Sequence, residues 1–264
     1  MENRLKSSVK MNSKEVLIFD ISSEYGHFRK YNTTTSPLTY SIPTRTAIAG
    51  ILGAIAGIER EVADGVYPEG VTPVQELFSK ENADIAVQII NPVKKENVAM
   101  NLINTKGSFY NLTKAGRTQI EFELLRDLKY RIFFTMDGNK AMFDELAERI
   151  KNKRHHFSPY LGLAQFTATV EYIDKREAVL CENPEKEIIE IITAINLSLL
   201  KDEENPVEFD YSAMYSANNM PIEMNRIREV QEYSEVLIEK NGRSIKAKPV
   251  HYYQIENHGN ILFL

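Results

Sequence analysis

The sequence predicts an α+β fold: a ferredoxin-like domain over residues 11–180, then a helix and a smaller β-rich part over residues 181–264. Three observations carry that reading. Apolar segments follow the order β, α, β, excursion, β, α, β, which is the order of a split βαβ unit. Helical segments repeat their apolar residues at helical spacing, whereas strand segments are short β-branched runs. The chain has 264 residues, 43% hydrophobic and 26% charged, so its core needs no staple.

Residues 14–22 (KEVLIFDIS) read as a buried strand. Residues 24–40 are polar and aromatic, contain Gly26 and Pro37, and read as a long loop. Pro43 stops extended chain, and Thr44 is placed to cap a helix. Ile48, Ile51, Leu52, Ile55 and Ile58 form the buried stripe of that helix. Ala47, Gly50, Ala54 and Gly57 form a second stripe, of small residues. Glycine costs about 1 kcal/mol inside a helix, so either backbone or a ligand packs close there. Residues 61–80 are acidic, interrupted by Pro68 and Pro73, with a short helix near 74–79. Residues 84–91 alternate as a strand. Residues 94–118 lack a long apolar run and read as an exposed excursion, a hairpin turning near Lys106 and Gly107. Residues 119–125 and 129–136 are strand-like, joined at Arg126 and Asp127. An amphipathic helix over 140–152 points Met142, Phe143, Leu146 and Ile150 inward, and 166–173 is another strand. Beyond Cys181 come a helix over 184–200, an acidic linker over 201–210, and strands, clearest at 230–239 and 261–264.

The net charge of −5 argues at first against a nucleic-acid binder. Its distribution changes that. Residues 1–60 carry +3 and residues 94–154 carry +5, whereas 61–93 carry −5 and 155–264 carry −8. Phosphate attraction is local over about 8 Å at physiological salt, so the basic blocks can bind a polyanion if the fold unites them. Chance fluctuation of charge over a solvated surface is the other reading. The single cysteine allows no internal disulfide and no Cys-based zinc site. The five histidines lack metal-ligand spacing, and no cofactor loop is present, so neither metal nor cofactor is expected. The start is polar, Met11 is a second candidate start, and the longest apolar run is too short for a bilayer span. A cytoplasmic protein is expected.

Three constellations suit RNA. YGHFRKY places His27, Arg29 and Lys30 among Tyr25, Phe28 and Tyr31, so rings can stack on bases while cations meet phosphates. The same Tyr, His and Lys types also support acid–base cleavage of RNA, or the rings simply pack down. Arg45 opens the first helix beside its free N–H groups, where it meets phosphate or pairs with a carboxylate. KNKRHHF ends the second helix, so Lys153, Arg154 and His156 either contact phosphate or complement the helix dipole.

Three segments stand out: IFDISSEYGHFRK, SPLTYSIPTRTAIAGILGAIAG and SPYLGLAQFTATVEYI. Together they resemble the CRISPR-associated Cas five family of the RAMP superfamily, most closely its type I-B branch. The resemblance covers most of residues 14–175, is strongest over 36–57 and thins after Cys181. It implies an RRM-like ferredoxin domain, a protruding β-hairpin thumb at 94–118 and a β-rich C-terminal part. It implies a non-catalytic subunit that caps the 5′ handle of CRISPR RNA in a Cascade surveillance complex for antiviral defence. The implied partners are CRISPR RNA, the backbone subunit, the large subunit and, through them, target DNA. By position, His27, Arg29, Lys30 and Tyr31 line the handle, and Thr44 and Arg45 meet phosphate or base. Lys106, Tyr110, Lys114 and Arg117 become the RNA-facing thumb residues, with Lys153, Arg154 and His156 more peripheral. The acidic C-terminal part then lies away from the RNA. Tyr160-Leu161-Gly162 offers one glycine where RAMP proteins often carry a glycine-rich loop. One branch of the family cleaves repeat RNA without metal, which leaves an endoribonuclease as the rival reading.

Overall fold

Strand β1 (Ser13–Gly26) is the spine of the molecule. In this computed structural model, which describes residues 13–30, 36–103, 116–200 and 204–264, β1 is buried on both faces. Leu17, Phe19 and Ile21 point to one side and Val16 and Ile18 to the other, all fully buried. Both edges are paired antiparallel, with β4 (Arg117–Met136) on one and β5 (Thr169–Glu182) on the other. Two strands share the outer edge of β4. β2 (Ala83–Ile89) pairs with its second half, and β3 (Lys94–Ile103) pairs with its first half, from Lys94 opposite Arg126 to Ile103 opposite Arg117. The switch between partners falls at Asp127, whose backbone is left-handed with φ 53°. The sequence suggests two strands joined here. One strand results because β1 keeps pairing on both sides of the kink, at Leu128 and at Arg126.

Helix α1 (Arg45–Ala56) starts where Thr44 Oγ1 accepts the Ala47 N–H at 3.1 Å, as the capping residue predicts. It ends at Gly57, which has φ 87° and donates to Gly53 O. Ile48, Ile51, Leu52 and Ile55 pack onto Leu17, Phe19 and Ile21. The four-residue α2 (Val74–Leu77) lies against α1, with Val74 filling the space beside Gly53. Helix α3 (Lys140–Lys151), capped by Asn139, puts Phe143, Leu146, Ala147 and Ile150 into the same core. The opposite face of the sheet is filled as well. Val16, Ile18, Ala86 and Phe133 meet Ile255, Ile261 and Phe263 there, out of reach of a stacking base.

The fold is α+β and mostly sheet. Among the described residues ten strands share one sheet, in the path β2-β4-β1-β5-β12-β13-β6-β11-β8 with β3 on β4. Its far half comprises β6 (Ile189–Ile191), β8 (Val207–Glu208), β11 (Ile245–Ala247), β12 (His251–Ile255) and β13 (Gly259–Ile261). The sheet crosses the predicted 180/181 boundary, because β12 pairs with the second half of β5. A separate three-stranded sheet is made of β7 (Ile195–Asn196), β9 (Tyr215–Met224) and β10 (Val230–Glu239). Its Met220, Ile222, Val236 and Ile238 join the core under α1.

The helix expected over 184–200 is not formed. That segment is β6, β7 and a 3-10 turn, Leu197–Leu199. Asn183 folds its start into a turn by accepting the Glu187 N–H, and Lys186 there has φ 61°. The isoleucines that look like a helical stripe are β-branched, and pairing with β10 and β11 suits them better than a helix. The strand expected at 166–173 begins at Thr169 and runs on to Glu182.

The segment between α3 and β5 is fastened to the exit of β1. His27 N–H donates to Leu161 O at 3.0 Å. Gly162 follows with φ 87°, and a Cβ there would lie 1.7 Å from His27 O. Only glycine tolerates both constraints. Gly162→Ala should therefore lower the stability by more than about 2 kcal/mol in urea unfolding, and a variant within 0.5 kcal/mol (roughly the surface-mutation range) would contradict the fit.

Candidate nucleic-acid interface

Where β1 ends, residues 28–30 and 38–40 form a tight backbone ribbon, with Tyr40 N–H to Phe28 O and Lys30 N–H to Leu38 O, both 2.8 Å. Glu123 of β4 anchors it. Its N–H donates to Pro37 O, and its carboxylate accepts the Thr39 N–H at 3.0 Å. The Lys95 ammonium, from β3, sits on the same carboxylate at 2.8 Å and also donates to Thr39 O. Burial pushes the Glu123 carboxyl up, but Lys95 and the Thr39 N–H more than offset this and hold it below its usual range.

Lys30 lies beside this pair. Its ammonium donates to Asn218 Oδ1 of β9 at 2.8 Å and stands over the Tyr40 ring, 5.6 Å from the centroid. Burial first, then the charges of Lys95 and Lys240, lower its pKa from the ordinary lysine value. Lys240 closes β10, where its carbonyl accepts the Val93 N–H at 2.8 Å. Exposed Arg29 is next to Lys30 in the chain. Lys30 thus has two further lysines near enough to act on it, Lys95 from β3 and Lys240 from the end of β10, and Lys95 is the one paired with Glu123. Like charges held this close favour an anionic ligand.

The other predicted residues are distributed differently. His27 is 3% exposed. Its Nδ1–H donates to Glu123 O at 2.9 Å, its ring meets Phe122 edge-on, and Nε2 has no partner among the described residues. Burial lowers its pKa, so the ring is neutral and faces the interior. The Tyr25 phenol is pushed up by its hydrogen bond to Glu96. Thr44 spends its hydroxyl on the helix cap. Arg45 is 2% exposed. Its guanidinium donates to Ala83 O at 2.6 Å and to Ile222 O at 3.5 Å, which ties α1 to β2 and β9. The sequence places Thr44 and Arg45 at the RNA; in the structure both are buried and make internal hydrogen bonds.

Lys153, Arg154 and His156 are exposed at the other end of α1, about 18 Å from Thr44 for a helix of this length. There His156 and Phe157 N–H groups donate to Ile55 O and Ala54 O. Arg117 is exposed at the start of β4, at the described limit of the ribbon. Tyr31, Lys106, Tyr110 and Lys114 lie outside the described residues. The structure therefore gathers Arg29 and Lys30, keeps Arg117 on the ribbon, and separates the rest.

Sequence reasoning missed Lys95 as a partner of Lys30, and missed Glu123, Asn218 and Lys240 altogether. The KK pair at 94 and 95 is the one local signal. Nothing near Lys240 or Asn218 announces their place, because only the pairing of distant strands brings them in. The acidic C-terminal part does not lie wholly away from the candidate site.

The family model described as "CRISPR-associated protein (Cas_Cas5)" matches residues 16–236. No curated protein matches the chain. Among solved structures, a chain of a "CRISPR RNA-guided surveillance complex" is similar at 11% identity and TM-score 0.49, covering 88% of this chain and 91% of that one. A CRISPR protein from Archaeoglobus fulgidus is similar at 11% identity and TM-score 0.48, covering 94% and 97%. A chain of the Type III-B Cmr-beta complex bound to cognate target RNA and AMPPnP is similar at 12% identity and TM-score 0.45, covering 88% and 86%.

Two outcomes follow from the buried groups. Because the His27 pKa is lowered in the fold, acid favours the unfolded chain, which takes the proton at the ordinary value. Its contribution is present above about pH 6.5 and is lost as the pH falls. The gap in melting temperature between wild type and His27→Gln should shrink between about pH 7.5 and pH 5.5; a constant gap would argue for an exposed, freely titrating ring. Arg45→Ala should destabilise by roughly 2–4 kcal/mol by orphaning two buried carbonyls, while the folded fraction keeps its RNA affinity. Lost RNA binding at unchanged stability would return Arg45 to the interface.

Proposed function

The chain belongs to the CRISPR-associated Cas5 family, and from that premise we propose that it is a non-catalytic RNA-binding subunit of a type I, I-B-like Cascade surveillance complex. It caps the 5′ handle of CRISPR RNA in the cytoplasm. The observation that carries this reading is the grouping of Lys95 and Lys240 about Lys30 at the root of the β3/β4 ribbon, where Lys95 is also paired with Glu123. Lysines so arranged suit a folded phosphate backbone, with Arg29 adding a donor beside them. The ribbon, with Arg117 on it, takes the part of the thumb, and Lys106, Tyr110 and Lys114 belong to its connection. The strand path β2-β4-β1-β5, with α1 and α3 packed on one face, supports the ferredoxin-like reading of residues 11–180. The backbone and large subunits are the protein partners, and target DNA is met through them.

The endoribonuclease reading is opposed by two groups it needs. His27 is neutral, buried and turned inward, and the Tyr25 phenol is harder to ionise than usual. Such groups are poorly placed for general acid–base work.

Purified complex, co-expressed with its neighbouring subunits, should retain CRISPR RNA whose 5′ handle is protected. Lys30→Ala combined with Lys95→Ala should weaken handle binding about tenfold or more and reduce the salt slope by roughly 2, one per lost phosphate contact. Unchanged affinity and slope would move the interface elsewhere. Cleavage of repeat RNA by the isolated protein in EDTA, abolished by His27→Ala, would replace the binding reading with the enzymatic one.

A further inference from the structure

We propose that Glu239 is a positioning residue: its buried carboxylate sets the turn that delivers Lys240 to the side of Lys30 and Lys95. It acts through Lys240, so its bearing on RNA rests on the RNA-binding reading of these lysines.

Glu239 ends β10 and is 3% exposed. A carboxylate so far out of water needs a cation or a full set of hydrogen bonds. Glu239 has the second. Its Oε2 accepts the backbone N–H groups of Asn241 at 2.9 Å and Arg243 at 2.8 Å. Its Oε1 accepts the Met214 N–H at 3.1 Å and the Asn241 side-chain amide at 3.0 Å. Four donors therefore converge on one side chain, from the chain just after β10 and the chain just before β9. An ionised carboxylate has about four acceptor positions, whereas a glutamine carbonyl has two and its NH₂ would face the donors. Hydrogen bonds to a charged acceptor are also roughly twice as strong as neutral ones.

Lys240 is fastened inside this knot by its backbone. Its N–H donates to Met214 O at 2.7 Å, so Glu239 and Lys240 grip Met214 from both of its peptide groups. Its carbonyl accepts the Val93 N–H, and Val93 lies two residues before Lys95. The turn closes at Gly242, whose N–H donates to Glu239 O at 3.2 Å. Gly242 has φ 79°, and a Cβ there would lie 2.4 Å from Ile89 O at the end of β2. The turn thus lies directly on the connection between β2 and β3, closer than any side chain would permit. Lys240 itself is half-buried, and among the described residues no carboxylate pairs with its ammonium. With no such partner to hold its tip, Lys240 depends on its backbone for its place. That place matters to Lys30: burial first, then Lys95 and Lys240, make the Lys30 proton easier to lose.

The test reads Lys30 directly, without RNA. Isotope-labelled dimethyl groups are placed on the lysines of the full chain and titrated by NMR, with Lys30 assigned by its loss in Lys30→Arg. Lys240→Met should raise the Lys30 pKa, because a nearby cation is gone. Glu239→Gln should raise it too, because the turn loosens and Lys240 moves away. That sign separates the two effects, since merely deleting a nearby negative charge lowers a lysine pKa. The double variant should add nothing to Lys240→Met. A fall or no change in Glu239→Gln would overturn the proposal, and so would no change in Lys240→Met. If Glu239→Gln does not fold, Glu239→Asp, which keeps the charge but is one methylene short of the donors, replaces it with the same expected rise. Handle binding is then measured in the complex co-expressed with its neighbouring subunits. Each single variant should weaken it about fivefold and lower the salt slope by roughly 1, and the double variant no further. Unchanged handle binding beside a raised Lys30 pKa would refute the RNA reading of these lysines and leave the positioning role standing.

Discussion

Much of this molecule follows from one constraint, the burial of β1 on both faces and its pairing on both edges. A strand so held cannot slip, because a one-residue shift would turn Leu17, Phe19 and Ile21 away from the helices. Its exit at Gly26 is fixed with it. The ribbon of residues 28–30 and 38–40, the anchoring Glu123 and the glycine contact at Gly162 are all built on that exit. The candidate surface is thus a property of the end of a rigid strand, and it combines Lys30 of the ribbon with Lys95 and Glu123 of the neighbouring strands.

Charge is used in different ways in this molecule. Around Lys30 the protein holds several cations together, and the cost is visible in a lysine whose proton is easier to lose than usual. Beside α1 opposite charges are paired instead, as in Arg228 with Glu61. Arg45 belongs to neither use. It is a buried cation whose two terminal nitrogens donate to backbone carbonyls while its Nε has no partner among the described residues, and it locks the second sheet against the first helix. A buried charge with such partners costs more to strip of one of them than to keep.

The sequence made local structure legible where one chemistry dominates. Thr44, Pro43 and the isoleucine stripe mark α1, and the run around Phe19 marks β1. It misled where non-local pairing decides. Isoleucines at 188–195 carry helical spacing, yet β10 and β11 recruit them into strands. Arg45 looks like an anion ligand from its place at a helix start, and only the carbonyls of Ala83 and Ile222 reveal its true task. Lys240 and Asn218 are silent in sequence for the same reason: their neighbours at the site are close in space and remote along the chain.

That remoteness also governs how the chain reaches this state. Leu17 pairs with Phe134 and with Lys175, so β1 is fully paired only after β5 has been made. Such non-local ladders fold slowly, because a long loop must close before any contact rewards it. At ordinary ribosomal speeds, β1 waits on the order of ten seconds for β4 to be synthesised. Meanwhile VLIFDI is an apolar, β-prone segment with two open edges, the kind of segment that joins other chains. The strand that makes the finished protein rigid is therefore the part of the nascent chain most in need of shelter.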